Sequence, residues 1–168
     1  LVRGEPARVG TFYGLDGGIA PLADPPPEVW FGSWGSDRRL AAMAAETYGW
    51  FASAYNATPQ QYAEARARLD GHLLAAGRSP QTFPDAIATT WLYVTENRRE
   101  AEQLVKGVLA PTLQRDPALL AHLPIGGAQH CAEALAAYAE AGAREVLVWP
   151  LRDAVRQLEL GMRAASET

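Results

Sequence analysis

Among 168 residues there is one cysteine, Cys131, so no disulfide can form within the chain. A lone thiol belongs in a reducing compartment, and the expected location is cytoplasmic. No apolar run approaches the roughly 20 residues of a membrane helix. The first ten residues, which include Glu5 and Pro6, lack the apolar core of a secretory signal. Positive charge is also scarce: 15 Lys and Arg face 19 Asp and Glu, for a formal net charge of −4 and no basic cluster. That balance leaves no electrostatic footprint for nucleic acid. The three histidines, His72, His122 and His130, share no spacing that would build a metal site or a His-based triad. Neither membrane, nucleic acid nor metal is therefore expected. What remains is an ordinary globular composition, 48% hydrophobic and 20% charged, long enough to bury one core.

The strongest local pattern follows the proline run Pro25-Pro26-Pro27. Val29–Phe31 reads as a short buried strand, and Gly32, Ser33, Gly35 and Ser36 form a turn of small residues. A helix then propagates from Arg39. Strand, glycine-rich turn and helix N-terminus together suit an anion. Unpaired N–H groups converge, the helix dipole favours negative charge, and glycine lets a phosphate approach the backbone. The spacing matches neither the dinucleotide fingerprint nor the P-loop, so a plain βα turn is the competing reading. If an anion binds, the N–H groups of Ser33 through Ser36 should point at it, with the Ser33 or Ser36 hydroxyl assisting. Valine at Gly35 should then weaken binding and leave the fold intact.

Elements alternate along the rest of the chain. Arg8–Ala23, with Asp16-Gly17-Gly18 at its centre, reads as a hairpin ribbon. Leu40, Met43, Ala44 and Thr47 form one apolar helical stripe that should end at Tyr48-Gly49, with Gly49 as the residue after the cap. Trp50–Ala54 is a candidate strand. Thr58-Pro59 opens a second helix, with Tyr62, Ala65, Leu69 and Leu73 on its inner face and Gly77 as its stop. Asp85–Val94 is rich in β-branched and aromatic residues and reads as a strand. Helix Asn97–Ala110 follows, then helix Ala128–Ala141 with Cys131, Leu135 and Tyr138 inward, strand Glu145–Trp149 and helix Asp153–Ala165. The apolar run Val146–Trp149 suggests a strand covered on both faces. Helical connections between strands mean a parallel sheet. About four βα units plus a ribbon do not close a (β/α)8 barrel, which needs roughly 250 residues.

Several segments, in order, resemble the C-terminal half of the bacterial luciferase-like family of flavin- and deazaflavin-dependent oxidoreductases. They are Phe12-Tyr13, the proline run, Trp30-Phe31-Gly32-Ser33, the Arg39–Tyr48 helix with Gly49-Trp50, and the turn Ala76–Pro80. The helix begun by Thr58-Pro59, the strand-plus-helix Thr95–Leu104, Pro124-Ile125-Gly126, Tyr138–Ala143, Trp149-Pro150 and Gln157-Leu158-Glu159 complete the set. Gly126-Gly127-Ala128-Gln129 departs from the family's Gly-Thr/Ser-Pro-Glu and loses a capping residue. The resemblance implies an α/β fold in which residues 1–168 form one half-barrel domain, the fifth to eighth βα units of a TIM barrel. It implies a flavin- or deazaflavin-dependent oxidoreductase or monooxygenase using FMN or coenzyme F420 on a small-molecule substrate. This chain would supply the phosphate-binding half and the upstream half the catalytic acid and base, leaving the isolated chain inactive.

On that resemblance Gly32, Ser33, Gly35, Ser36 and Trp50 are the expected cofactor contacts, and Phe51 and Arg152 the expected substrate contacts. Each has a bland counterpart: an unliganded turn, core aromatics and a solvated loop arginine. The expected partner is the N-terminal half of the same barrel or a second copy of the chain. The inner faces of Val29, Phe31, Ile87 and Leu147 should be left exposed for it. A non-catalytic half-barrel that only binds or dimerises is the alternative, and a small open α/β domain of unrelated function a third.

Overall fold

In the computed structural model, residues 24, 25 and 27–166 are described; the ribbon expected over 8–23 lies outside them. The strands are β1 (Trp30–Gly32), β2 (Gly49–Ser53), β3 (Asp85–Val94), β4 (Ile125–Gly126) and β5 (Glu145–Pro150). The helices are α1 (Asp37–Glu46), α2 (Pro59–Ala75), α3 (Arg98–Leu104), α4 (Ala110–Leu113), α5 (Ala128–Glu140) and α6 (Ala154–Ser166). Strands β1, β2, β3 and β5 lie side by side in that order, every pair parallel. This is the expected arrangement of βα units. The two-residue β4, which has no sequence signal of its own, adds to the end of β3 through Tyr93 and Val94.

One face of this sheet carries the helices. Trp50 and Ala52 of β2, Asp85 and Ile87 of β3 and Val146 of β5 point into it. There they meet Leu40 and Met43 from α1 and Tyr62, Leu69 and Leu73 from α2. Under α5 and α6, Leu92 and Val94 pack with Cys131, Val148 and Leu160. Helix α2 starts as its sequence dictates. The Thr58 hydroxyl accepts from the Gln61 N–H, while the Gln61 side chain takes the Thr58 N–H, a complete capping box with Pro59 behind it.

The described residues leave the opposite face open along β5. Leu147 and Trp149 are 37% and 49% exposed, alternating with Val146 and Val148, which are half-buried against the helix-side clusters. β5 is therefore covered on one face only, not on both as its continuous apolar run suggests, because period-two alternation decides the face whatever the residue type. The partner-facing set is also corrected. Ile87 is fully buried beneath the helices, and Phe31, though exposed at the edge strand, is in register with Trp50 on the helix side; Val29 is exposed ahead of β1, and Leu147 is exposed on the open face as expected.

Other boundaries move for local reasons. Gly49 is no helix cap: α1 ends at Glu46, and Gly49 opens β2 where a Cβ would lie 2.5 Å from the Trp30 indole. The helix expected over Asn97–Ala110 splits into α3, a π turn at Val105–Leu109 and α4. Pro111 has no N–H and would clash in a regular ladder, and the widened turn ahead of it carries the Ala110 N–H to the Val105 carbonyl. In α5, Ala134 is buried in preference to Leu135. The capping side chain missing at Gly127 is supplied from elsewhere: the Glu96 carboxylate accepts the Ala128 N–H at 3.0 Å.

Candidate functional site

The turn after β1 is built around Ser33. Its N–H donates to the Phe51 carbonyl at 3.0 Å, its carbonyl accepts the Trp50 indole N–H at 3.2 Å, and its Oγ accepts the Gly35 N–H at 3.2 Å. Ser33 is buried, and its hydroxyl holds the turn together. Two of the four N–H groups expected to face an anion, those of Ser33 and Gly35, are thus spent internally. The N–H groups of Trp34, Ser36, Asp37 and Arg38 have no partner among the described residues. The Ser36 hydroxyl makes no capping bond either. These donors, at the start of the ten-residue α1, are what remains to meet a ligand.

Gly35 is held at φ +83°, and a Cβ there would lie 2.8 Å from the Ala65 Cβ of α2. Valine at this position is strained in backbone and packing alike and, contrary to the sequence expectation, would disturb the fold. Gly32, by contrast, has open space where a Cβ would stand, beside Phe51 in register on the open face. The Arg68 guanidinium donates to the Gly35 carbonyl at 3.1 Å, which brings a cation from α2 to the turn. Asp37 opposes it but is partnered by His72 at 2.9 Å. Sequence reading missed Arg68, since 33 residues separate it from Gly35. It also passed over Trp34, 66% exposed within the turn, for which the flanking glycines were the available signal.

Trp50 is placed on the helix side. It is 1% exposed and stacked on Tyr62 with centroids 5.2 Å apart. Its link to the turn is the bond to the Ser33 carbonyl, so it supports the turn and does not itself reach the open face. Phe51 does face that way and packs on Trp30 at 4.9 Å. Further along the same face, Tyr55 and Trp91 pair at 5.4 Å. Arg152 lies apart from the turn, beyond β5, with β2 and β3 between β1 and that strand.

Arg152 lines a cleft of about 470 Å³ past the carboxyl ends of β3 and β5, together with Tyr93, Glu100, Arg156 and Gln157. The Tyr93 hydroxyl donates to Glu100 at 2.7 Å and the Thr95 hydroxyl at 3.1 Å. These bonds hold the Glu100 carboxyl below its ordinary pKa, and the same contact raises the Tyr93 phenol. Gln157 seals the end of β3 by bonding both the N–H and the carbonyl of Val94. A larger cleft of about 890 Å³ lies between α3, the π turn and the start of α5, with Glu96, Lys106 and His130 on its walls. Neither cleft includes the turn at 32–36.

His122, His130 and Cys131 are held by structural contacts. His122 faces the Ala54 carbonyl and His130 the Leu123 carbonyl. Burial pushes the Cys131 thiol up to about 11, the state of an inert core cysteine. Among the described residues no cluster of His, Cys, Asp and Glu could hold a metal ion, and no helix is long and apolar enough to cross a membrane.

No family model matches the sequence, nor does any curated protein. Solved structures do. The coenzyme F420-dependent tetrahydromethanopterin reductase of Methanopyrus kandleri matches with a TM-score of 0.62 and 14% identity, over 99% of this chain and 59% of that one. Monooxygenase RslO1 of Streptomyces bottropensis matches with a TM-score of 0.68 and 15% identity, over 99% and 57%. The oxygenating constituent of 3,6-diketocamphane monooxygenase from Pseudomonas putida, solved with FMN, matches with a TM-score of 0.62 and 17% identity, over 94% and 57%. This chain therefore spans less than three fifths of each. The resemblance to luciferase-like oxidoreductases holds at the level of fold: parallel βα units equivalent to about half of their barrel.

Proposed function

We propose that this chain is the second half of a (β/α)8 barrel whose whole is an FMN- or F420-dependent oxidoreductase or monooxygenase, with the turn Gly32–Ser36 as its phosphate site. The open face of the parallel sheet carries the proposal. Among the described residues, Leu147 and Trp149 stand exposed on it and Trp30, Phe51 and Trp91 are only half-buried, which suits a sheet meant to curve around a shared interior. The partner that closes it would be an N-terminal half-barrel or a second copy of the chain. Fold alone does not assign chemistry, so the residues must fit the cofactor.

They do so at one end. The unspent N–H groups of Trp34, Ser36, Asp37 and Arg38 and the Ser36 hydroxyl offer donors. The space over Gly32 admits a phosphate, and Arg68 supplies charge. When bound, a reduced flavin or deazaflavin would supply hydride or oxygen chemistry, and this chain's residues would hold its phosphate and wall its ring. Phe51 and Arg152 are the proposed substrate contacts. The residues that move protons would come from the other half.

Ser36→Asp is the informative variant. Aspartate caps a helix as well as serine does, so α1 is retained, but its charge repels a phosphate. A charge-assisted hydrogen bond contributes about 1.5–3 kcal/mol, so affinity should fall about tenfold or more. FMN and F420 are titrated separately into the complete protein and its S36D variant, following cofactor fluorescence. Equal affinities would remove the phosphate from this turn.

A further inference from the structure

On the open face at the carboxyl end of β2, between the Trp30–Phe51 and Tyr55–Trp91 pairs, two hydroxyls meet: Ser53 Oγ and Thr89 Oγ1, 2.7 Å apart. Thr89 sits in a β-bulge, where the pairing of β3 with β5 shifts between Ile87 and Thr90, and its φ is +57°. A β-branched residue at positive φ is a steric outlier, and such strain persists where something else selects for it. The bulge is what turns the Thr89 hydroxyl toward Ser53.

The hydrogens of this pair can be followed one by one. Thr89 Oγ1 donates its single hydrogen to the Ala88 carbonyl at 2.6 Å, so toward Ser53 it can only accept. Ser53 therefore donates to Thr89, and it accepts from the Asn56 amide at 3.4 Å. Asn56 is oriented by the Arg115 guanidinium, which donates to its carbonyl oxygen. The chain runs one way, from Arg115 through Asn56, Ser53 and Thr89 to Ala88. Both hydroxyls have spent their hydrogens, and each keeps one lone pair. What the pair presents is acceptor capacity only.

We infer that Ser53 and Thr89 form a substrate-selecting pair that accepts a hydrogen bond from an O–H or N–H group on an aromatic or alicyclic ligand, favouring an alcohol, phenol or amide over an ether or ketone of the same shape. The aromatic pairs on either side would hold the ring while the hydroxyls read its donor. This rests on the proposed reading in which Phe51, two residues from Ser53 on the same face of β2, contacts the substrate.

The test compares β-naphthol with its methyl ether, which has the same ring but no donor, by quenching of tryptophan fluorescence in the complete protein. Naphthol should bind about tenfold more tightly, the worth of one well-placed hydrogen bond. In Ser53→Ala and in Thr89→Gly the preference should fall below about twofold, with ether binding retained. Glycine accepts φ +57°, so T89G should hold or raise the thermal midpoint. Equal binding of the two probes, or a preference that survives both substitutions, overturns the pair while leaving the pocket in place. Failure of both probes to bind overturns the pocket as well. A lower midpoint in T89G would assign the Thr89 hydroxyl to structure and overturn its selecting role.

Discussion

The Trp50 indole N–H donates to the carbonyl oxygen of Ser33, 17 residues away, at 3.2 Å. Through that bond the packed core holds the turn at the end of the neighbouring strand. Trp50 is clamped flat against Tyr62 of α2, with planes 1° apart, so the turn inherits the rigidity of the helix layer. A phosphate site needs such support, because donors that must be ordered on binding cost affinity.

Replacing Trp50 by Phe keeps the stack and removes the donor. The Ser33 carbonyl is then left buried without a partner, which costs about 1–3 kcal/mol. Urea unfolding should show a lower midpoint with an unchanged slope, since the surface exposed on unfolding is nearly the same. A midpoint equal to that of the parent chain would show that the bond does not hold the turn.

Asp85, at the start of β3, is the second point of leverage. It is 1% exposed, accepts from the Tyr62 hydroxyl, pairs with Arg66, and takes the Arg144 N–H at 3.3 Å. Asp85→Asn removes the buried carboxylate that Arg66 and Arg144 share and leaves Arg66 only the more exposed Asp70. Breaking a buried pair in this way costs about 3–5 kcal/mol. The cluster lies at the amino ends of the strands, where conservation of structure rather than chemistry is the usual role. Chemical denaturation should therefore show a large loss of stability. A loss under about 1 kcal/mol, typical of an exposed pair, would contradict the burial of this one.

His122 gives stability a pH dependence. Burial disfavours its charged form and lowers its pKa from 6.5, against the smaller raising effect of bonds to the Ala54 and Leu119 backbone. Because the folded value lies below the unfolded one, the unfolded chain binds the proton more readily. The contribution is complete above the unfolded pKa and is lost as pH falls through the folded one. Thermal midpoints measured from about pH 7.5 down to about pH 5 should fall more steeply for the parent than for His122→Gln. Parallel pH curves would rule out a linkage through this residue.

The sequence made most of the elements legible because their signals are local. Thr58-Pro59 with Gln61 announces α2, and the β-branched and aromatic run over Asp85–Val94 matches β3. Parallel pairing follows because every long connection is helical. Where the reading failed, the cause lay across the chain. Gly49 reads as a helix stop until Trp30 is seen occupying the place of its Cβ. Gly127 looks uncapped until Glu96 arrives from the end of β3. The site divides in the same way. Glycine and serine in the turn are visible as residue types, whereas Arg68 and the Ser53–Thr89 pair meet only in the folded chain.

By itself, then, the sequence determined the alternation of strands and helices, the helix faces and the small-residue turn, because periodicity and capping act within a few residues. Tertiary structure alone decided which face of each strand is covered, which turn donors remain unspent, and that Trp50 supports the turn from beneath. Those outcomes depend on which distant groups compete for the same hydrogen bond or the same space. No local propensity encodes that competition; it is settled when the chain packs.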